Sequence, residues 1–216
     1  MEFQAGNSWT GVWERFRKGD KEAFAILYNS HVDALYAYGC KLCHDSGLVK
    51  DALQEIFIEL YNKRESSNIP VVRLRYYLLL ALKRNLVKKL VKGRKFQSIN
   101  GKADFPMMDE PSEETKWIEQ ERSEEVSDMV GRTIEILPAK QREAIYLRFT
   151  HCLDYEEISR ILGISVESVR KQVYRGVKSI RNSIGKESVT LFFLFSAKKK
   201  LKTVSMFWIV PAFQGN

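Results

Sequence analysis

Apolar residues recur at intervals of three and four positions along most of the chain, as they do on one face of an α-helix. The first such run consists of Trp9, Val12, Trp13 and Phe16. Gly19-Asp20 follows it, with glycine suited to ending one helix and aspartate to capping the next. Alternation typical of strands is weak, and the chain has only 5 prolines. The pattern therefore predicts an all-α protein.

Three more helices are predicted in the N-terminal half. The apolar positions of the second are Phe24, Leu27, Tyr28, Leu35 and Tyr36. An irregularity is expected within it, near Asn29-Ser30. The third helix is expected from about Ser46 to Lys63 and the fourth from about Val72 to Arg94, with the polar loop 64–70 between them.

Changes in composition divide the chain into four parts. Residues 10–95 form the predicted four-helix domain, and residues 96–123 form an acidic linker interrupted by glycine and proline. Residues 124–186 carry short, closely spaced helices, and residues 187–216 form an apolar and basic tail of unknown role. The predicted architecture is two small helical domains joined by an acidic linker.

The net charge of the 216 residues is +8, which favours a polyanionic partner, either nucleic acid or an anionic membrane surface. The 3 cysteines imply no disulfide framework. Residues 1–9 lack the basic and apolar regions of a signal peptide, so we expect a cytoplasmic protein. No stretch reaches the roughly 20 apolar residues of a spanning helix, so no stable membrane insertion is expected.

Residues 154–175 have the pattern of a helix-turn-helix. The first helix is expected to bury Tyr155, Ile158, Ile161 and Leu162. Gly163 then takes a position where a left-handed conformation is cheap only for glycine, and Ser165 is a good N-cap for the second helix. That second helix is expected to bury Val166, Val169, Val173 and Ile180.

The opposite face of the second helix is polar and mostly basic. It is expected to present Glu167, Ser168, Arg170, Lys171, Arg175 and Lys178. Arginine and lysine on such a face can reach base edges and phosphates in the major groove. The alternative is an ordinary helical hairpin with a solvated basic face. Because the cap, the turn and the outward cations agree, the pattern favours DNA binding.

Asp51, Gln54 and Glu55 share one face of the third helix, at i, i+3 and i+4. Two acids at this spacing repel each other by about 0.2–0.5 kcal/mol, so an isolated helix gains nothing from them, whereas a basic partner surface would. The alternative is a solvated polar stripe. The positions expected in the core of this helix are Leu53, Ile56, Phe57 and Leu60.

The fourth helix is strongly basic and has no acid between Arg73 and Lys95. Cations spaced around a helix bind phosphates, and its aromatic residues can stack on unpaired bases. For Tyr76 and Tyr77 the alternative is packing inside the domain. The expected core positions of this helix are Leu78, Leu79, Leu82, Leu86 and Leu90.

These motifs together resemble a known family. Leu137-Pro-x-x-Gln-Arg-Glu143 followed by the helix-turn-helix resembles region four of the sigma-70 family, and also the DNA-binding domain of response regulators. Gly19-Asp-Lys-Glu-Ala-Phe24 and Asp51-Ala-Leu-Gln-Glu-Ile-Phe57 resemble sigma region two, which decides between these relatives. Without a region-three domain or an acidic region-one extension, the chain is identified as a member of the extracytoplasmic-function (ECF) subfamily.

The resemblance implies an RNA polymerase sigma factor, with no enzymatic activity and no cofactor, that directs promoter-specific initiation. It implies that Asp51, Gln54 and Glu55 bind the clamp coiled coil of the polymerase beta-prime subunit, and that region four binds the beta flap and the minus-thirty-five element. The residues implied for the minus-thirty-five element are Ser168, Arg170, Lys171, Arg175 and Lys178. Those implied for the minus-ten element are Asn68, Arg75, Tyr76, Tyr77, Lys83, Arg84, Lys88 and Lys92. An anti-sigma factor is the further expected partner.

Three features remain outside this interpretation. Cys40-Lys-Leu-Cys43-His44 matches a haem-attachment pattern, which we attribute to chance because that chemistry needs export; a redox role for the thiol pair stays open. The acidic linker fits either a polymerase channel or a solvated spacer. In the tail, segments 189–195 and 203–213 suit protein packing or partner binding better than an interfacial anchor. The rival functions are a stand-alone helix-turn-helix regulator and a cytochrome-like electron carrier.

Overall fold

The computed structural model describes residues 9–95 and 133–184, and every regular element in these ranges is helical. The first range contains α1 (Trp9–Arg17), α2 (Lys21–Leu42), α3 (Ser46–Asn62), a 3₁₀ turn (Val71–Arg73) and α4 (Leu74–Lys95). The second contains α5 (Ala139–Ile145), a π-helical turn (Tyr146–Thr150), α6 (Tyr155–Leu162) and α7 (Val166–Ile184). The all-α prediction with two helical domains is confirmed. The predicted linker and tail lie outside the described residues, and the domain boundaries stay predictions.

The helix starts in the N-terminal unit are set by local chemistry. Gly19 adopts a φ of +88°, and the carboxylate of Asp20 accepts hydrogen bonds from the backbone N–H groups of Glu22 (2.8 Å) and Ala23 (3.2 Å). Such an aspartate satisfies donors that have no partner within the helix. Asp45 caps α3 in the same way through Leu48 N–H. The predicted end of α1 and cap of α2 are confirmed.

The expected irregularity in α2 is wrong, because the helix runs unbroken through Asn29-Ser30. The hydroxyl of Ser30 donates back to the carbonyl of Ile26 at 2.7 Å, an interaction that a serine makes within a helix without ending it. Among the apolar positions of α2, Leu27 and Leu35 are buried, whereas Phe24 and Tyr36 are half-buried and Tyr28 is exposed.

Helices α1 to α4 share one core. The predicted core of α3 is confirmed in full, and that of α4 is confirmed except at Leu90, which is half-buried. Gly39 lets α2 and α3 approach closely, because a Cβ there would lie 2.5 Å from Val49 Cγ1 and 3.4 Å from Cγ2. Helix α4 packs against both α2 and α3, with Glu55 of α3 bonded to Asn85 and Lys89 of α4.

In the C-terminal unit, Gly163 adopts a φ of +66° and Ser165 caps α7 by accepting from Ser168 N–H at 3.2 Å, as predicted. Asp154 accepts from Glu157 N–H, and the Glu157 carboxylate accepts from Asp154 N–H, which is a capping box at the start of α6. Most of the predicted core is confirmed. Three expected core residues are only half-buried: Tyr155, Leu162 and Val166.

Helices α5 and α7 cross at a glycine. A Cβ at Gly176 would collide with the Cδ1 atom of Ile145, so no other residue fits without moving its neighbour. Gly176 lies on the buried side of α7, on the same side as Val169, Val173 and Ile180. This packing leaves the opposite side of α7 exposed.

Candidate nucleic-acid and protein interfaces

Helix α3 brings Asp51, Gln54 and Glu55 together on one exposed face, as the spacing predicted. One of them has a partner within the chain. The Glu55 carboxylate accepts a hydrogen bond from Asn85 Nδ2 at 2.8 Å and lies 2.6 Å from the Lys89 ammonium. The hydrogen bond from Asn85 and the one from Lys89 hold the pKa of Glu55 below its usual value. Among the described residues, the side chains of Asp51 and Gln54 therefore have no bonded partner, whereas Glu55 ties α3 to α4.

An apolar groove of about 800 Å³ lies beside this face, between α2 and α3. It is lined by Phe24, Tyr28, Val32, Tyr36, Phe57 and Ile58, with Asp33, Lys50 and Gln54 at polar positions. Tyr28 and Ile58 are 38% and 51% exposed. The sequence pattern did not predict this groove. The available signal was Ile58, which follows the core pair Ile56-Phe57 at a position where a helix turns the side chain away from the core.

Helix α4 presents three predicted DNA-binding cations, Arg84, Lys88 and Lys92, as an exposed stripe at four-residue spacing. Arg75 and Lys83 are half-buried on its flanks. Tyr76 and Tyr77 are also half-buried, so they are neither fully packed inside the domain nor fully available to stack on unpaired bases. Burial raises the pKa of Tyr77. Asn68 is exposed in the loop before this helix.

Helix α7 exposes four of the five predicted minus-thirty-five residues, Arg170, Lys171, Arg175 and Lys178. The fifth, Ser168, is half-buried, and its hydroxyl lies 2.9 Å from that of Ser165, because both belong to the first turn and its cap. Its contact with DNA stays a prediction. Lys171 is paired with Glu167, one turn earlier, at 2.6 Å.

Tyr155 orders one of these cations. The guanidinium of Arg170 lies 5.5 Å from the centre of its ring, and that of Arg148 lies 4.8 Å from it. Arg148 also donates to the carbonyl of Leu153 at 2.8 Å. An aromatic ring attracts such cations and restricts their rotamers. The half-buried position of Tyr155 is thus explained by its contact with residues on the exposed surface of the unit.

One exposed aromatic residue was missed by the sequence analysis. Tyr174 is 67% exposed in α7, four residues after Arg170 and four before Lys178. That spacing placed it on the basic face and was the signal that could have identified it. A large exposed ring among cations can contact an apolar base edge, such as the methyl group of thymine.

The Cys40-x-x-Cys43-His44 motif does not form a cluster of exposed ligands. Cys40 lies in the last turn of α2, Cys43 is buried at the end of that helix, and His44 is exposed. Within residues 9–95 and 133–184, no group of three or more histidine, cysteine or acidic side chains is placed to hold a metal ion. In those same ranges, no helix has the length and apolar character needed to cross a membrane.

Comparisons with known proteins agree with this geometry. Residues 27–96 match the model of Sigma-70 region 2, and residues 127–180 match that of Sigma-70, region 4. The chain is 32% identical over 178 residues to the ECF RNA polymerase sigma-E factor of Escherichia coli K12, covering 79% of this chain and 91% of that protein. It is 28% identical over 177 residues to the RNA polymerase sigma-H factor of Pseudomonas aeruginosa, with the same coverage.

A solved structure shares the fold. It is the sigma factor RpoE of Bartonella quintana, determined in complex with the anti-sigma factor NepR, with a TM-score of 0.51 and 20% identity over 74% of this chain and 94% of that one. The two family regions occur in the order that the motifs predicted. The chain belongs to the ECF subfamily of the sigma-70 family and is a non-enzymatic RNA polymerase sigma factor for transcription initiation.

Proposed function

We propose that this sigma factor uses three separate surfaces: the α3 face for core polymerase, the loop 63–70 with α4 for the minus-ten element, and α7 for the minus-thirty-five element. The observation that carries the proposal is the segregation of charge. Acids on the exposed face of α3 suit a basic partner, whereas exposed cations on α4 and α7 suit phosphates.

For the polymerase contact, Asp51 and Gln54 are the side chains available to the beta-prime clamp coiled coil. Glu55 contributes negative charge to the same face while it remains bonded to α4. Region four is proposed to contact the beta flap.

For the minus-ten element, the stripe Arg84, Lys88 and Lys92 contacts phosphates, with Arg75 and Lys83 beside it. Tyr76 and Tyr77 are each partly exposed, which leaves part of each residue accessible to an unpaired base. Asn68 in the preceding loop takes up a base that has left the duplex stack. Removing a base from the stack costs a few kcal/mol. A site that binds one kind of base offsets this cost for that base alone, so it selects the promoter sequences whose duplex opens.

For the minus-thirty-five element, α7 enters the major groove with Arg170, Lys171, Arg175 and Lys178 toward the DNA. Arg170 is oriented by Tyr155, which restricts it before binding. Arg175 and Lys178 lie on the same side, one turn apart. Ser168, half-buried beside these cations and bonded to the Ser165 hydroxyl, is proposed as the fifth contact.

The test is run-off transcription with purified core polymerase on promoters from the same genome. Specific starts should appear only when the protein is added, and Asp51→Lys should abolish them by weakening core binding. Glu14→Lys, which makes the same charge change at an exposed position of α1, is the matched control and should leave transcription intact. Starts that survive Asp51→Lys would contradict the polymerase contact, and tight duplex binding without polymerase would support a stand-alone regulator.

We also propose that the protein acts in the cytoplasm and is controlled by an anti-sigma factor that packs an apolar helix into the α2–α3 groove. The exposed Tyr28 and Ile58 support this, as does the structural relative that was determined with an anti-sigma factor. A protein captured from the native host should inhibit run-off transcription by the wild type but not by Ile58→Lys. Val72→Lys, an exposed apolar position outside the groove, should remain inhibited. Equal inhibition of both variants would exclude the groove.

A further inference from the structure

The loop 63–70, which carries Asn68, is braced by one arginine. Arg64 donates from Nη1 to the carbonyl of Tyr61 at 3.0 Å and from Nη2 to the Glu65 carboxylate at 2.9 Å. Its guanidinium also lies over the Tyr61 ring, 4.5 Å from the ring centre. The side chain is only 22% exposed although it belongs to a surface loop. These contacts fix the start of the loop against the end of α3.

The same guanidinium also lies beside the α1–α2 junction. A Cβ at Gly19, whose φ is +88°, would lie 3.5 Å from Arg64 Nε and 3.7 Å from Nη2, which is ordinary van der Waals contact. From the last residue of α1, Arg17 donates to the Glu65 carbonyl at 3.3 Å. The loop is therefore bonded on one side to α3 and on the other to the end of α1.

Tyr61 connects this brace to the core. Its ring lies 6.3 Å from that of Phe16 in α1 and 5.2 Å from that of Phe24 in α2, centre to centre. The contacts thus run from packed aromatic rings through Arg64 into the loop. Helix α1 and the start of α2 precede residue 27, where the match to region 2 begins. Helix α1 thus lies outside the range that matches region 2, yet it helps to hold loop 63–70, which lies within that range.

We infer that Arg64, supported by Arg17, is a positioning residue that sets the conformation of loop 63–70 and thereby the base preference at the minus-ten element; this rests on the role proposed for that loop. Beyond Arg64, the loop has few bonds of its own: Ser66 Oγ to the Lys63 carbonyl at 3.3 Å and Ile69 N–H to Ser67 Oγ at 3.4 Å. A site selects one base only if its groups are held in place before the base arrives. The brace supplies that order.

The experiment measures initiation by full-length protein with core polymerase on promoters that differ at single minus-ten bases. With the wild type, the best and worst bases should differ by about tenfold, within the range for one mismatched position. Arg64→Met should reduce that ratio to about threefold or less. Arg64→Lys should act like Arg64→Met, because an ammonium lacks the planar fork that stacks on Tyr61 while donating in two directions. Discrimination at the minus-thirty-five element and affinity for core should stay unchanged.

Arg17→Ala provides a second test that does not disturb a buried side chain, and it should lower the minus-ten ratio in the same direction. Its matched control is Lys18→Ala, which removes a neighbouring exposed cation whose side chain has no bond to any described residue. Lys18→Ala should keep the wild-type ratio. A fall in the ratio with both Arg17→Ala and Lys18→Ala would show a general charge effect and overturn the inference.

Asn68→Ala separates this inference from the proposed function. If Asn68→Ala reduces minus-ten discrimination while Arg64→Met and Arg17→Ala lower transcription equally on all promoters, the brace is merely structural and the inference is wrong, although the loop still reads the base. If Asn68→Ala also leaves discrimination unchanged, the loop is not the reader and the proposed role fails together with the inference.

Discussion

The contact between Glu55 and α4 leads to a quantitative prediction for Glu55→Gln. The glutamine keeps an oxygen that can accept from Asn85 but removes the charge that faces Lys89, so the substitution isolates the charge. The side chain of Glu55 is 55% exposed and that of Lys89 is 24% exposed. An ion pair at this exposure contributes about 0–1 kcal/mol, and we expect a value near the upper end, about 0.5–1 kcal/mol, because a second hydrogen bond fixes the carboxylate.

A double-mutant cycle with Lys89→Met tests this value. Each single variant should lower the local free energy of opening of α3 and α4 by about 0.5–1 kcal/mol, and the double variant should lose little more than one single variant does. Hydrogen exchange of peptides from α3 and α4 in the full-length protein measures the local free energy. Glu59→Gln is the matched control, because Glu59 lies in α3 and pairs with Lys63 just beyond it rather than with α4.

The pH dependence has a definite sign. Because the folded-state pKa of Glu55 is lowered, the stabilisation is complete above the unfolded-state pKa and is lost as pH falls through the folded-state value. The difference between the wild type and Glu55→Gln should therefore be full well above the usual glutamate pKa of about 4.3 and shrink as the pH falls below it. Additive losses in the cycle, or a difference that persists or grows on acidification, would refute this account of the contact.

Three further predictions concern other parts of the chain. Gly39→Ala should lower the melting temperature, because overpacking against Val49 costs about 1–3 kcal/mol and exceeds a helix-propensity gain of about 1 kcal/mol. Val49→Ala should destabilise the Gly39→Ala variant less than it destabilises the wild type. Burial lowers the pKa of His31, so stability should fall as pH drops below about 6.5, and His31→Gln should flatten that decline in urea unfolding. Tyr174→Ala should reduce discrimination at one minus-thirty-five base by about 1–3 kcal/mol in run-off assays, whereas Asn182→Ala, also exposed in α7, should not.

Much of the fold followed from short-range chemistry. The end of α1 and the starts of α2 and α7 were predicted from Gly19-Asp20 and Gly163-Ser165, because a cap is decided by residues within about four positions of each other. The periodicity of α3 and α4 correctly separated core from surface for nearly every position, since burial of one helix face is a property of spacing. The errors were at half-buried positions such as Tyr155. Spacing predicts which way a side chain points, but not how far the neighbouring residues cover it.

The outward direction of the candidate residues was also mostly predictable. Asp51, Gln54 and the cations of α4 and α7 stand where the helical period places them. The bond between the Ser168 and Ser165 hydroxyls was not predicted, because it is a local effect of the N-cap that the pattern of charges does not include. Tyr174 was overlooked because it is aromatic, although its register on α7 was known.

By itself, the sequence determined the class of the protein: which segments are helices, which face of each is buried, where the two family motifs stand and which partner charges suit them. These depend on periodicity and capping, which act within a few residues. Only the tertiary structure decided that Glu55 bonds to Asn85 and Lys89, and that Arg64 lies beside Gly19 at the α1–α2 junction. Such partners are 30 or more residues apart, or face each other across a helix junction. Their meeting depends on how closely the helices pack, which no local pattern specifies.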